Sequence, residues 1–177
     1  MLVESSRYRV GTLVVAVLLG CQAHSQPAGL LSPGSKPPDL SGVDQAGQVH
    51  HLSESNGHFT LVYFYPKDDT PGCTKEACAF RDVWNKYRDA QIQLYGVSVD
   101  DQGSHASFAQ KYSLPFPIIV DKDTQWAQGF GVPLKMGKAS RVSFLLSPDG
   151  RINKVYPNVD PGTHAALVLG DVQSQSH

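Results

Sequence analysis

A short apolar run followed by a helix-start signal constrains the fold of this chain most strongly. Residues 59–65 form an apolar run that is long enough for a β-strand and too short for a typical helix. A short loop later, Thr70 and Pro71 have the pattern of a helix N-terminus, with Thr as the N-cap and Pro at the first helical position. The sequence therefore predicts a strand, a loop and a helix in succession, with Cys73 in the first helical turn.

That position of Cys73 predicts a reactive thiol. The backbone N–H groups of a first helical turn have no intrahelical partners, and the helix dipole favours negative charge there. A thiol at this place is expected to ionise readily, and the thiolate is the reactive form. The alternative is that Thr70 and Pro71 are ordinary capping residues and that Cys73 is a core residue, because Cys is among the most frequently buried residue types.

A second cysteine, Cys78, follows five residues after Cys73, a spacing that fits neither a redox CxxC motif nor the usual zinc ligands. On an intact helix the two Cα atoms would lie about 8–9 Å apart, whereas a disulfide requires less than about 7 Å. A permanent bridge is therefore not expected. If the two cysteines pair, the first helical turn must unwind, which suits a bridge that forms and breaks during catalysis.

The segment from Val62 to Asp82 resembles the active site of atypical 2-Cys peroxiredoxins, and most closely the bacterioferritin-comigratory-protein, or Q-type, group. The family signature is Pro, three residues, Thr, two residues and Cys, which here is Pro66, Thr70 and Cys73. The resemblance extends over about residues 40–172. It implies a thioredoxin-like fold.

The resemblance also implies roles for individual residues. Cys73 would be the peroxidatic nucleophile and Cys78 the resolving cysteine. The Thr70 hydroxyl would position the peroxide, Pro66 would shield the thiolate from water, and Arg141 would supply a fixed positive charge. Arg141 is distant in sequence, so only the fold can bring it to the site; its alternative role is a surface ion pair.

The implied reaction is the reduction of hydrogen peroxide and organic hydroperoxides, with thioredoxin or a thioredoxin-like protein as the reductant. The resemblance implies no metal and no organic cofactor, and a monomer is expected because the group is often monomeric. The nearest alternative is an extracytoplasmic thiol–disulfide oxidoreductase acting on proteins, but such enzymes usually carry CxxC, which residues 73–78 lack. A non-catalytic lipoprotein with incidental thiols is a further alternative, and Pro66, Thr70 and Arg141 argue against it.

The N-terminus predicts export. An apolar run over residues 10–20 follows Arg7 and Arg9, as in the h-region of a signal peptide, and is too short to span a membrane comfortably. It ends in Leu-Leu-Gly before Cys21, which resembles a bacterial lipobox whose cysteine takes a lipid. We therefore expect a signal peptide at 1–20 and a lipid anchor in the bacterial envelope, facing the periplasm. The alternative is a plain signal peptide with an incidental Cys21.

The rest of the chain predicts one globular domain. Residues 21–38 are rich in Pro, Gly, Ser and Ala and predict a flexible tether, which leaves 39–177 as the domain. A net charge of −1 with 41% hydrophobic residues suits a single packed core, and the absence of a basic run argues against nucleic acid.

Within that domain, the predicted order β-α-β-α-β-α-β-β-α indicates an α/β fold with a mixed central sheet flanked by helices, as in thioredoxin. The pattern predicts an additional hairpin or edge strand in 39–52, one continuous helix over 71–89 with Trp84 in the core, and a loop over 132–140. Lys67, Asp68 and Asp69 are interpreted as a solvated loop. His50 and His51 point to opposite faces of a strand, which favours solvent contact over metal binding.

Overall fold

The computed structural model describes residues 29–175. The predicted signal peptide, Cys21 and residues 22–28 of the predicted tether lie outside this range. The strands, in chain order, are β1 (Ser41–Val43), β2 (Val49–His51), β3 (Thr60–Phe64), β4 (Gln93–Ser98), β5 (Ile118–Val120), β6 (Leu134–Lys135), β7 (Lys138–Ala139), β8 (Val142–Leu146) and β9 (Ile152–Tyr156). The helices are α1 (Pro71–Asp82), α2 (Trp84–Asp89), α3 (Gln102–Tyr112), α4 (Gln125–Gly129) and α5 (His164–Gln175), with a 3-10 turn at Leu52–Ser55.

The centre of the fold is a mixed five-stranded sheet in the order β5-β4-β3-β8-β9. Strands β3, β4 and β5 run parallel to one another, and β8 runs antiparallel to both β3 and β9. The predicted α/β class with a mixed sheet flanked by helices is confirmed. The predicted hairpin in 39–52 is also present, as β1 paired with β2.

Strand β3 lies in the middle of the sheet, and all five of its residues are buried. Because side chains alternate along a strand, the residues of β3 belong to two separate apolar clusters. Leu61 and Tyr63 belong to the cluster beneath α1 and α5, and Val62 and Phe64 belong to the cluster beneath α4. This strand ends at the loop that leads to Cys73.

The prediction of one continuous helix over 71–89 is wrong, because the structure divides this segment at Val83. Val83 has φ −108° and ψ 13°, outside the helical range, and α2 starts at the next residue. After the break, Tyr87 is fully buried and its hydroxyl donates to the carbonyl of Ala165 in α5, at 2.8 Å. Trp84 is only partly buried, at the margin of the core against Phe116.

Two local predictions also differ from the structure. The loop predicted over 132–140 contains a small hairpin of β6 and β7. Helix α3 has Asp101 as its N-cap, which accepts from the backbone N–H of Ser104 at 2.9 Å. His50 is paired with Asp44, Nε2 to Oδ2 at 2.9 Å, while His51 is exposed.

The described part of the predicted tether, residues 29–38, is packed against the domain. The backbone N–H of Leu31 donates to the carbonyl of Phe130 at 3.0 Å. Gly34 donates to Ile152 at 2.7 Å, and Ile152 donates in turn to Ser35 at 2.8 Å. Leu30 and Leu31 cover the apolar cluster beneath α4, so the ordered domain begins earlier than residue 39. Among residues 29–175, no helix has the length and apolar character needed to cross a membrane.

Candidate active site

Cys73 is the third residue of α1 and is only 3% exposed. The N-cap of the helix is Thr70, whose backbone is extended, and Pro71 follows as the first helical residue. Thr74 donates its N–H to the Thr70 carbonyl at 2.8 Å and so closes the first turn. The structure therefore places Cys73 where the sequence predicts it, in the electropositive first turn of a helix.

The side chain of Thr70 does not cap the helix. Its hydroxyl donates instead to the carbonyl of Lys67 within the preceding loop, at 3.0 Å. Pro66 begins that loop and is half-buried. Because the hydroxyl hydrogen is used in the loop, the oxygen lone pairs of Thr70 remain able to accept a hydrogen bond from a substrate.

Arg141 reaches the thiol from a distant part of the chain. Its Nη2 lies 3.1 Å from the Sγ of Cys73. Burial alone would lower the pKa of Arg141, but the Glu76 carboxylate and the Cys73 sulfur outweigh burial and raise it. The guanidinium is therefore a permanent positive charge against the sulfur, and a thiolate at Cys73 is stabilised by it.

Two residues that the sequence predictions missed complete this cluster. Glu76 is fully buried one turn after Cys73, and one of its oxygens accepts from Nη1 of Arg141. Its other oxygen lies 2.8 Å from Nδ1 of His164, which is also fully buried. A carboxylate three residues from a candidate nucleophile lies on the same helix face, and this spacing was the available signal for Glu76.

The loop before the helix is held by a second buried network. Asp68 is buried, and it accepts from the hydroxyls of Tyr65 and Ser104, both at 2.7 Å, and contacts Nδ1 of His105 at 2.8 Å. Burial alone would raise the pKa of Asp68, but the bonds from His105 and the two hydroxyls outweigh burial and lower it. The prediction of a solvated loop is therefore wrong for Asp68, because these partners replace its hydration.

Cys78 lies on α1 as well and is half-buried, and both Cys73 and Cys78 are free thiols. An uninterrupted helix connects them, so the expected separation of about 8–9 Å between their Cα atoms applies. The two sulfurs therefore cannot bond in this conformation. The structure represents the reduced, helical form of the site.

A surface groove of about 510 Å³ lies beside the cluster, and Pro66 and Arg141 line it. Its walls are mainly apolar, and Lys135 and Lys138 also contribute to them. This groove gives solvent and small molecules a route to the guanidinium of Arg141.

Comparison with known proteins identifies the family to which this arrangement belongs. Residues 33–155 match the sequence profile of the AhpC/TSA family. This chain belongs to the AhpC/TSA family. It is 41% identical over 144 residues to the peroxiredoxin bcp of Coxiella burnetii, covering 77% of this chain and 95% of the relative. It is 39% identical over 149 residues to the chloroplastic peroxiredoxin Q of Triticum aestivum, covering 82% of this chain and 69% of the relative.

A solved structure supports the same assignment within the AhpC/TSA family. The bacterioferritin comigratory protein of Xanthomonas campestris, described with trapped intermediates of alkyl peroxide reduction, superposes with a TM-score of 0.75 at 30% identity. The match covers 82% of this chain and all of the neighbour. The fold is therefore the thioredoxin-like fold of peroxiredoxins, and the protein is a thiol peroxidase of the bacterioferritin-comigratory-protein and Q-type group.

Proposed function

We propose that this AhpC/TSA protein reduces hydrogen peroxide and organic hydroperoxides with Cys73 as the peroxidatic nucleophile. The observation that carries the proposal is the 3.1 Å contact between Arg141 Nη2 and the Cys73 sulfur at the start of a helix. The sulfur contacts a fixed cation and belongs to the first turn of a helix, whose backbone N–H groups have no intrahelical partners. Both favour the thiolate, and both can bind the negative charge that spreads over the peroxide in the transition state.

In the first step, the Cys73 thiolate attacks one oxygen of the peroxide. A sulfur–oxygen bond forms as the O–O bond breaks, so that the sulfur is oxidised to a sulfenic acid. The other oxygen takes the bonding electron pair and a proton, and it leaves as water or an alcohol. Thr70 would hold the peroxide through its hydroxyl oxygen, and Pro66 would limit the access of water.

In the second step, the thiol of Cys78 attacks the Cys73 sulfur. A disulfide forms, and the sulfenic hydroxyl leaves with the thiol proton as water. Because the two cysteines are too far apart on α1, the helix must unwind locally between them. A thioredoxin-type dithiol would then reduce the disulfide by thiol–disulfide exchange, which returns both cysteines to thiols.

The decisive experiment is steady-state peroxide reduction by the wild type and by Cys73→Ser, with thioredoxin and thioredoxin reductase as the electron source. The variant should lose peroxide consumption completely, because serine is not a nucleophile toward peroxide at neutral pH. A variant that retains turnover would exclude Cys73 as the peroxidatic residue.

We propose further that the enzyme acts in the bacterial envelope as a monomer attached to a membrane by a lipid on Cys21. The support is the apolar run over 10–20 and the lipobox-like residues before Cys21. Cys21→Ala should release the protein into the soluble fraction of cells. Unchanged membrane fractionation of this variant would exclude the anchor.

A further inference from the structure

We propose that His164 is a positioning residue of the peroxidatic centre. Through Glu76 it holds Arg141 against Cys73, and it favours the helical form of α1 over the unwound form in which Cys73 and Cys78 pair. The inference rests on the function proposed above for Cys73, but its test does not require peroxide.

The four residues form one continuous chain of contacts. The Cys73 sulfur contacts Nη2 of Arg141 at 3.1 Å, and Nη1 of Arg141 donates to one oxygen of Glu76. The other oxygen of Glu76 lies 2.8 Å from Nδ1 of His164. Glu76 and His164 are both 0% exposed, so water and salt screen their interaction very little.

The surroundings of His164 define which of its ring nitrogens contacts Glu76. Arg141 donates to Glu76, which favours the ionised carboxylate, so the hydrogen between Glu76 and His164 belongs to Nδ1. The other ring nitrogen, Nε2, is buried without a hydrogen-bond partner within residues 29–175. The rings of Phe80 and Tyr156 lie 5.1 and 5.7 Å from the imidazole. Nε2 therefore faces apolar rings, and His164 contacts the carboxylate of Glu76 through Nδ1 as the donor.

His164 therefore supplies a directed hydrogen bond to the carboxylate of Glu76. The negative charge of Glu76 offsets part of the field of Arg141, so electrostatic attraction alone does not explain this arrangement. The advantage of the pair lies in geometry, because a guanidinium bound at Nη1 has its Nη2 directed at a fixed place. With Glu76 held only by Arg141, both side chains could rotate together away from Cys73.

The same bond also acts on the local unfolding of α1. Glu76 lies between Cys73 and Cys78, in the part of the helix that must unwind before a disulfide forms. Unwinding carries Glu76 away from His164, which is the first residue of α5. The hydrogen bond therefore stabilises only the helical form, in which Cys73 reacts with peroxide.

The experiment compares His164→Leu, His164→Gln and His164→Asn in the full-length protein. The amide nitrogen of Asn occupies the position of Nδ1, whereas that of Gln corresponds to Nε2. The first measurement is the rate at which iodoacetamide alkylates Cys73 in the reduced protein as a function of pH, read by peptide mass spectrometry. The second is the ratio of sulfinic acid on Cys73 to Cys73–Cys78 disulfide under excess hydrogen peroxide.

Leu and Gln at position 164 should slow alkylation of Cys73 at neutral pH about tenfold and move its pH profile upward. They should also lower the ratio of sulfinic acid to disulfide, because α1 unwinds more readily. Asn should restore both measurements to near the wild-type values. Should the Leu variant not fold, the Gln variant carries the same comparison.

Val168→Ala is the matched control, since Val168 is fully buried on α5 in the same apolar cluster but makes no polar contact with the site. It should reduce stability without moving the pH profile of alkylation. The proposal is overturned if the pH profile of alkylation in the Leu and Gln variants lies at the wild-type position, or if Asn is as impaired as Leu. Because alkylation needs no peroxide, a protein that lacked peroxidase activity would still give a readable result.

Discussion

Phe64 of β3 lies opposite Val142 of β8 in the antiparallel register at the centre of the sheet. Because the two strands run in opposite directions, the residue before Val142 arrives at the edge from which the chain leaves Phe64 toward the active-site loop. Strand pairing therefore places Arg141 beside Cys73, although 68 residues separate the two in sequence. The register of one strand pair determines the electrostatics of the thiol.

Replacing Arg141 with Lys should lower kcat/KM for hydrogen peroxide roughly 10- to 100-fold, because one ammonium group cannot contact Glu76 and Cys73 in the fixed geometry of a guanidinium. The measurement is the second-order rate constant for peroxide. Arg151→Lys is the matched control, since Arg151 is exposed and binds the backbone of Gly34. An unchanged rate constant for Arg141→Lys would show that only the charge at this position matters.

Replacing Cys78 with Ser should separate the two proposed steps. The variant should still consume about one equivalent of peroxide per chain, because Cys73 and Arg141 are intact, and then stall with thioredoxin as the donor. Stopped-flow consumption and the mass of the oxidised protein provide the measurement. Sustained turnover with thioredoxin would exclude Cys78 as the resolving cysteine.

The local features of the site could be predicted from the sequence because they depend on neighbouring residues. The apolar run of β3, the N-cap at Thr70 and the place of Cys73 in the first turn all follow from such short-range signals. The break at Val83 has no comparable signal, since no Pro or Gly occurs between residues 74 and 89. Composition also does not distinguish a tether that is free in solvent from one that packs against the domain. The apolar residues Leu30 and Leu31 were the available signal for packing.

The buried polar partners could not be predicted, because each depends on contacts across the fold. Glu76 and Asp68 look like solvent-facing residues in a sequence, and ionised carboxylates are seldom fully buried without partners. Their partners are His164, 88 residues away, and His105, 37 residues away. A single sequence does not indicate which histidine contacts which carboxylate in the folded protein.

Replacing Asp68 with Asn should reduce the free energy of unfolding by about 2 kcal/mol near neutral pH, because a buried carboxylate loses charge-assisted bonds. The pKa of Asp68 is lowered in the folded protein. Its contribution is therefore present above the ordinary carboxyl pKa of about 3.9 and is lost as the pH falls through the lowered value. The free energies of unfolding of the wild type and the variant, measured in urea, should accordingly converge in acid.

Asp149→Asn is the control for that pH dependence, since Asp149 is exposed and its pKa is also lowered, chiefly by the Ser147 hydroxyl. It should change the stability little at any pH. If the free energies of unfolding of the wild type and Asp68→Asn differed by a constant amount down to acid pH, the charge of Asp68 would contribute nothing to stability.

The rate of disulfide formation should respond to helix propensity at Lys75, an exposed residue between the two cysteines of α1. Gly is less favourable than Ala in a helix by about 1 kcal/mol. The part of α1 between the two cysteines should therefore unwind about fivefold more readily in Lys75→Gly than in Lys75→Ala. The two variants lose the same exposed contact with Asp160, at 3.6 Å, and differ only in propensity. After one equivalent of peroxide, the Gly variant should form the Cys73–Cys78 disulfide faster by about that factor. Equal rates would show that unwinding between the cysteines does not limit the resolving step.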